Sequence, residues 1–311
     1  MFVQEAIQEQ VATEAGEKFN AGKVIIEHVS NSAIDHPLLH LPKVLGIDFS
    51  VTKHVLMLWL VAAFVFTIVT WTVRRHLKQE RAIPSGFMNA LEAVVEFVRD
   101  SIVLPNVGRK SVNTWTPLIL TFFLFILCAN AIGLIPIFEV LAVLDHFVLH
   151  TAEDSFVKHL MHGGTTATAN FNVTAALAMI TFGAIIVAGS KAHGFVTHFK
   201  NLVPGGVSKF VYPILIPIEV LGMFVRPFAL TMRLAANMTG GHIAILAILS
   251  FVFLSAEIFK SSVTGVGVGL VVSVPMASLV SGLEVIVVLV QAYVFTLLTA
   301  VFIGMAIHAH H

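Results

Sequence analysis

The 311 residues carry 18 basic and 18 acidic side chains, a net charge of zero, and are 57% hydrophobic with a mean hydropathy of +0.91. This composition excludes an ordinary soluble domain, and the balanced charge removes any electrostatic case for nucleic acid. Apolar runs of about 20 residues, enough for an α-helix to cross ~30 Å of hydrocarbon, predict an all-α integral membrane protein instead of a barrel of short alternating strands.

In chain order, residues 1–45 read as a polar tail with Glu5, Glu9, Glu14 and Glu17. It lacks the basic and apolar regions of a cleavable signal peptide, so it is expected to be mature sequence, on the external side. Residues 46–203 are expected to hold three spans. The first, 53–73, is followed at once by Arg74, Arg75, Lys78 and Arg81, which mark the cytoplasmic side. Residues 84–104 place Phe87, Leu91, Val94, Val95, Val98 and Ile102 on one helical face and Glu92, Glu96, Arg99 and Asp100 on the other. That pattern predicts one amphipathic helix lying on the membrane surface or against the bundle.

The second span is expected at 114–136 and the third at 170–190, with an acidic outer loop, 137–169, between them. Lys191, His193, His198 and Lys200 return the chain to the basic side. Cys128, the single cysteine, lies in an apolar run and reads as a small core residue that forms no intrachain disulfide.

Residues 204–311 are expected to form a hairpin of two long helices. The stretch 217–257 would be about 60 Å long as a helix, twice the hydrocarbon thickness. It either breaks at Gly240-Gly241 or lies strongly tilted; a break leaves too short a second half, so tilting is favoured. The stretch 271–307, about 55 Å long, repeats the situation. The join falls near Lys260, and the Gly265, Gly267, Gly269 run is a candidate turn.

From Lys209 to the end only Lys209, Glu219, Arg226, Arg233, Glu257, Lys260 and Glu284 carry a formal charge. A charge at bilayer depth costs several kcal/mol, about 2.5 on the lowest scale, so such residues mark ion paths unless they merely pair. Glu219, Arg226 and Arg233 stand seven apart, on one slowly drifting helical face that Asn237 nearly shares. Glu284 and Gln291 are also seven apart. His242, nine residues past Arg233, points to the opposite side of the helix, toward a different compartment.

At these residues the chain resembles the a subunit of the Fo sector of the rotary ATP synthase. The resemblance is carried by Pro227, by Arg233-Leu234-Ala235-Ala236-Asn237-Met238 through Gly240-Gly241-His242, and by Glu284 through Leu289-Val290-Gln291-Ala292-Tyr293. Asn170-Phe171-Asn172-Val173-Thr174 and Ile218-Glu219 match weaker runs, and the likeness extends from about residue 45 to 307. It implies five membrane helices plus a surface helix, with Arg233 facing the carboxylates of a c-subunit ring between two offset half-channels.

Arginine suits that place because it stays charged when desolvated, whereas lysine can lose its proton. By the same resemblance His242 and Glu284 form an outer relay, in the reverse order of acid and histidine found in many members. Glu219 serves the inner half-channel or simply neutralises Arg226. Gln291 and Asn237 line the path and hold water, or bond helix to helix. Asp48, Asn130, Asn170 and Asn172 match channel-mouth positions loosely, and Gly133 stands where some members carry an acid.

The implied partners are the c-ring, peripheral-stalk b-type subunits, the rest of the F1Fo ATP synthase and membrane lipids. The implied location is a bacterial plasma (inner) membrane, with the N-terminus outside and the C-terminus cytoplasmic. No metal or cofactor is expected. Histidines such as His36, His40, His146, His150, His159 and His162 read as solvated loop residues, and no Walker-type phosphate loop is present, which leaves nucleotide chemistry to another subunit. An independent proton-coupled transporter is the competing class; it lacks support from any inverted repeat. A structural scaffold would leave Arg233, His242 and Glu284 unexplained.

Overall fold

A computed structural model describes residues 50–78, 83, 85–134, 167–200, 212–259 and 262–308, with one isolated position at 22. Apart from that position, the expected external tail lies outside the described residues, as do Asp48 and most of the acidic loop. The helices are α1 (Lys53–Lys78), α2 (Phe87–Glu96), α3 (Leu104–Val107), α4 (Val112–Leu134), α5 (Phe171–His193), α6 (Phe195–Lys200), α7 (Tyr212–Ile258) and α8 (Ser262–Ile307). Among them α1, α4, α5, α7 and α8 are long and apolar enough to cross a membrane, as the composition predicts.

A π-helical stretch, Phe97–Val103, joins α2 to α3. It ends just before Pro105, whose missing N–H denies the carbonyl of Ser101 its ordinary helical partner and favours the wider turn. Along this amphipathic segment Leu91, Val98, Ile102 and Val103 are buried while Glu96, Arg99 and Asp100 are exposed. The apolar face packs against α4, in the same core as Ile119, Phe122 and Phe123. Phe87, expected on that face, is exposed.

That core continues through Leu230 and Leu234 of α7 and through Ala292, Phe295 and Ile303 of α8. Phe122 and Phe295 meet edge to face with ring centroids 5.6 Å apart, a favoured aromatic geometry.

Helix α7 runs unbroken through Gly240-Gly241, so the single long helix expected from the sequence forms and the broken hairpin does not. Its 47 residues make a rod of about 70 Å, more than twice the hydrocarbon thickness. Helix α8 is nearly as long, at 46 residues, and starts at Ser262, nine residues before the expected boundary. The glycine run is therefore helical, not a turn. A Cβ on Gly265 would strike the backbone of Ala256, and one on Gly269 would strike Ser255 and Val252. With Ser273 and Ala277 buried at the following four-residue steps, small residues let α8 lie directly on α7. The Ser255 hydroxyl donates to the carbonyl of Gly265 at 2.7 Å, locking this close approach.

At the opposite end of the hairpin, His193 Nε2 donates to the carbonyl of Ile307 at 3.0 Å, and Gly304 packs on the backbone of Asn106. The last turns of α5 and α8 therefore lie together beside α3. Helix α6 folds back so that the His198 ring covers Gly189. Burial, and secondarily the neighbouring His193, push His198 below the ordinary histidine pKa.

Candidate functional site

Arg233 projects from α7 on an exposed face that also carries Ala229, Ala236, Asn237 and Gly240. Small residues on both sides leave the guanidinium accessible to a close neighbour. No carboxylate among the described residues pairs with it; the one ion pair there is Arg99 with Asp100, 3.9 Å apart at the surface.

Behind the arginine the structure is tightly tied. Gln291 Nε2 donates to the carbonyl of Leu234 at 3.2 Å and to that of Arg233 at 3.5 Å. Asn130 Nδ2 donates to Gln291 Oε1 at 2.9 Å, and the Thr168 hydroxyl donates to Asn130 Oδ1. Asn130 and Thr168 are fully buried, where an unsatisfied amide costs about 1–3 kcal/mol. A chain of side-chain bonds thus runs from the foot of α5 through α4 and α8 to the backbone of α7 at Arg233. Gln291 bonds helix to helix, the second of the roles its position allowed. A cavity of about 10 Å³, lined by Leu230, Arg233, Leu234, Gln291 and Phe295, gives space on the order of one water beside it.

The register of the hairpin brings Glu284 to the next part of this seam. Gly269 lies against Val252, Glu284 against Gly241, and Gln291 against Leu234. Between the first two contacts α8 advances 15 residues while α7 advances 11; between the last two each advances 7. Four extra residues on α8 correspond to about 6 Å of helix. Pro275 stands in the stretch where the slip accumulates. Glu284 is 7% exposed, its Oε1 has no hydrogen-bond partner among the described residues, and that oxygen lies on Gly241, next to His242. A Cβ at position 241 would occupy the carboxylate's present place, so a larger residue there would have to push the Glu284 side chain aside.

Glu219 and Arg226 do not form an ion pair. The Arg226 guanidinium sits over the Phe302 ring, 5.6 Å from its centroid, while Glu219 is half-buried one stripe away. Asn170 caps α5, accepting from the backbone N–H of Asn172 at 2.8 Å, and Asn172 itself is exposed. Asn237 is exposed beside Arg233, and Gly133 is buried.

Two polar residues had no role in the sequence reading. Thr168 completes the amide chain, and Thr239 reaches from α7 to the carbonyl of Ala169 at 3.4 Å. Both are threonines in small-residue runs, with no spacing that singles them out.

The ends of the seam differ in charge. Arg74, Arg75 and Lys78 close α1, Arg109 and Lys110 precede α4, and Lys191 lies in the last turn of α5. The antiparallel packing of α1 on α4, and the junction of Asn106 with Gly304 and of His193 with Ile307, gather these cations at one end of the bundle. Glu219, seven residues inside α7, lies toward that end; Gly241, His242 and Glu284 lie toward the other, past Arg233.

Residues 55–304 match the family model described as ATP synthase A chain. The chain is 39% identical over 315 residues to ATP synthase subunit a 2 of Chlorobium luteolum, covering 98% of this chain and 81% of that one. It is 38% identical to ATP synthase subunit a of Chlorobium phaeobacteroides (94% and 77% covered) and 39% identical to that of Myxococcus xanthus (85% and 75%). The match takes in α1 through nearly all of α8, and with it the buried amide chain, Arg233 and the Glu284 contact: this is a multi-pass membrane protein of the ATP synthase A chain family.

Proposed function

We propose that this chain is the stator proton channel of an ATP synthase Fo sector, with Arg233 as the fixed charge facing the rotor. The observation that carries the reading is Arg233 itself: a permanently charged side chain, on an exposed face of small residues, with no carboxylate of its own chain beside it. At bilayer depth such a charge calls for an acid on a partner. The membrane carboxylates of a c-subunit ring supply it.

On this reading Arg233 holds a rotor carboxylate only in its ionised form, so each carboxylate must release its ion before it passes the arginine. Ions therefore reach the rotor from one side and leave to the other. His242 and Glu284 serve the half-channel away from the basic end, and Glu219 serves the half-channel on the basic side. Asn237 and the small cavity beside Gln291 place water near the arginine. The basic end is cytoplasmic by the positive-inside rule, which puts the C-terminus inside and the 1–45 tail outside a bacterial inner membrane. Peripheral-stalk b-type subunits anchor the chain against the rotor, and the subunit does no bond chemistry alone.

Arg233→Ala should abolish ATP-driven proton pumping in inverted vesicles, with assembly of the complex confirmed on the same preparation. Arg233→Lys should fail as well, because a desolvated ammonium can release its proton to the acid it must oppose. Near wild-type pumping by an assembled Arg233→Ala complex would overturn the reading.

A further inference from the structure

The proposed path leaves α1 unused. Along one face of this helix, Phe66, Thr67, Thr70, Trp71, Arg74, Arg75 and Lys78 line a groove of about 590 Å³. Its lower wall is apolar and aromatic, its middle carries two hydroxyls, and its rim carries three cations within five residues. The cations and Trp71 are exposed, and the Arg75 guanidinium lies 5.2 Å from the Trp71 ring centroid, which holds the arginine at the rim. No carboxylate among the described residues pairs with Arg74, Arg75 or Lys78; Glu92 and Glu96, on the packed α2, form no ion pair with them.

The groove sits where the apolar run of α1 gives way to charge, which is the depth of the headgroups of one leaflet. A tryptophan at the end of a span belongs at that interface, and long basic side chains there reach toward phosphate. We infer that this groove is a binding site for an anionic glycerophospholipid: Arg74, Arg75 and Lys78 take the phosphate, Thr67 and Thr70 bond the glycerol ester region, and an acyl chain lies along Phe66 and Trp71. Charge complementarity favours a lipid over a protein helix, because a helix entering at this depth would have to bring its own acids into the interface. Cations beside a span attract anionic lipid, each adding up to about fivefold in affinity. The site is independent of the proton path.

The test uses fluorescence quenching of Trp71 in the full chain with Trp59→Phe and Trp115→Phe, reconstituted into phosphatidylcholine vesicles containing a small fraction of brominated phosphatidylglycerol or brominated phosphatidylcholine. The anionic lipid should quench Trp71 several-fold more than the zwitterionic lipid at equal mole fraction. Arg74→Gln with Arg75→Gln and Lys78→Gln should bring that ratio to about one, whereas Arg74→Lys with Arg75→Lys should keep it. A parallel set retaining Trp115, which is buried in the core, reports that each variant is folded. Equal quenching by both lipids, or an undiminished preference in the triple glutamine variant, would overturn the inference. So would complete loss of the preference on adding millimolar inorganic phosphate, which would make the rim a simple anion site. Absence of the preference in the intact membrane complex would assign the groove to a protein subunit instead.

Discussion

At the residue scale, Arg226 and Glu219 share a helical stripe, yet the structure gives Arg226 to the Phe302 ring and leaves Glu219 half-buried without an ion partner among the described residues. Neutralisation of Arg226 therefore does not account for the carboxylate. On the proposed path, Glu219→Gln should leave assembly intact and lower proton flux per assembled complex by at least about tenfold, a modest loss for a proton-transfer group. Assembly and flux measured on one preparation separate this from a purely structural effect. His242 and Glu284 allow a stricter test, since Glu284 rests on Gly241 beside the histidine. The exchange His242→Glu with Glu284→His should restore more flux than either single exchange, because it keeps one acid and one base. Strictly additive losses across the four proteins would show that the two do not act as a unit.

At the element scale, the long helices are fixed by small residues and by one buried amide chain. Gln291→Leu removes the donor to the α7 carbonyls and leaves the Asn130 amide without its partner in dry surroundings. It should cost about 1–3 kcal/mol of stability, read as a lowered thermal midpoint of the solubilised chain. Gly269→Leu should be worse for hairpin packing, since the side chain would have to enter the backbone of Val252.

Helix α6 offers a pH test outside the spans. Burial first, and the neighbouring His193 second, lower the folded pKa of His198 below its unfolded value near 6.5, so the unfolded state binds the proton more readily. The contribution is intact above about pH 6.5 and is lost as pH falls through the folded pKa. Protection factors at α6 and the end of α5, taken relative to the slower intrinsic amide exchange in acid, should fall on going from pH 7 to pH 5, and His198→Asn should remove most of that fall.

At the scale of the whole molecule, α7 leaves most of its outer surface uncovered, with Ile214, Ile218, Leu221, Phe224 and Phe228 all more than half exposed around the Arg233 stripe. A largely apolar surface that carries the exposed Arg233 fits a partner that is apolar with an acid. In a Cys128→Ser background, Met232→Cys should therefore crosslink to a ring subunit in the assembled membrane sector, while Trp59→Cys, exposed on α1, should not. Recovery of the chain without any ring of small hairpin subunits, under conditions that preserve complexes, would argue against the proposed partner.

The sequence by itself determined the class, the spans and the polar stripes, because hydrocarbon forces backbone bonds inside each segment and makes every buried charge conspicuous. Spacing placed Arg233 away from His242, and length alone marked α7 as more than one bilayer thickness of helix. Tertiary structure decided what lay beyond one helix's own period. The glycines at 265 and 269 read equally as a turn or as a contact, and only the presence of Val252 and Ala256 against them makes them a contact. Gln291 finds Asn130 across 161 positions, and Arg226 prefers an aromatic ring to the acid on its own stripe. The four-residue slip that brings Glu284 to Gly241 follows from how two helices settle on each other. Periodicity names the face that a helix presents; the residue that meets it is chosen by packing across the whole chain.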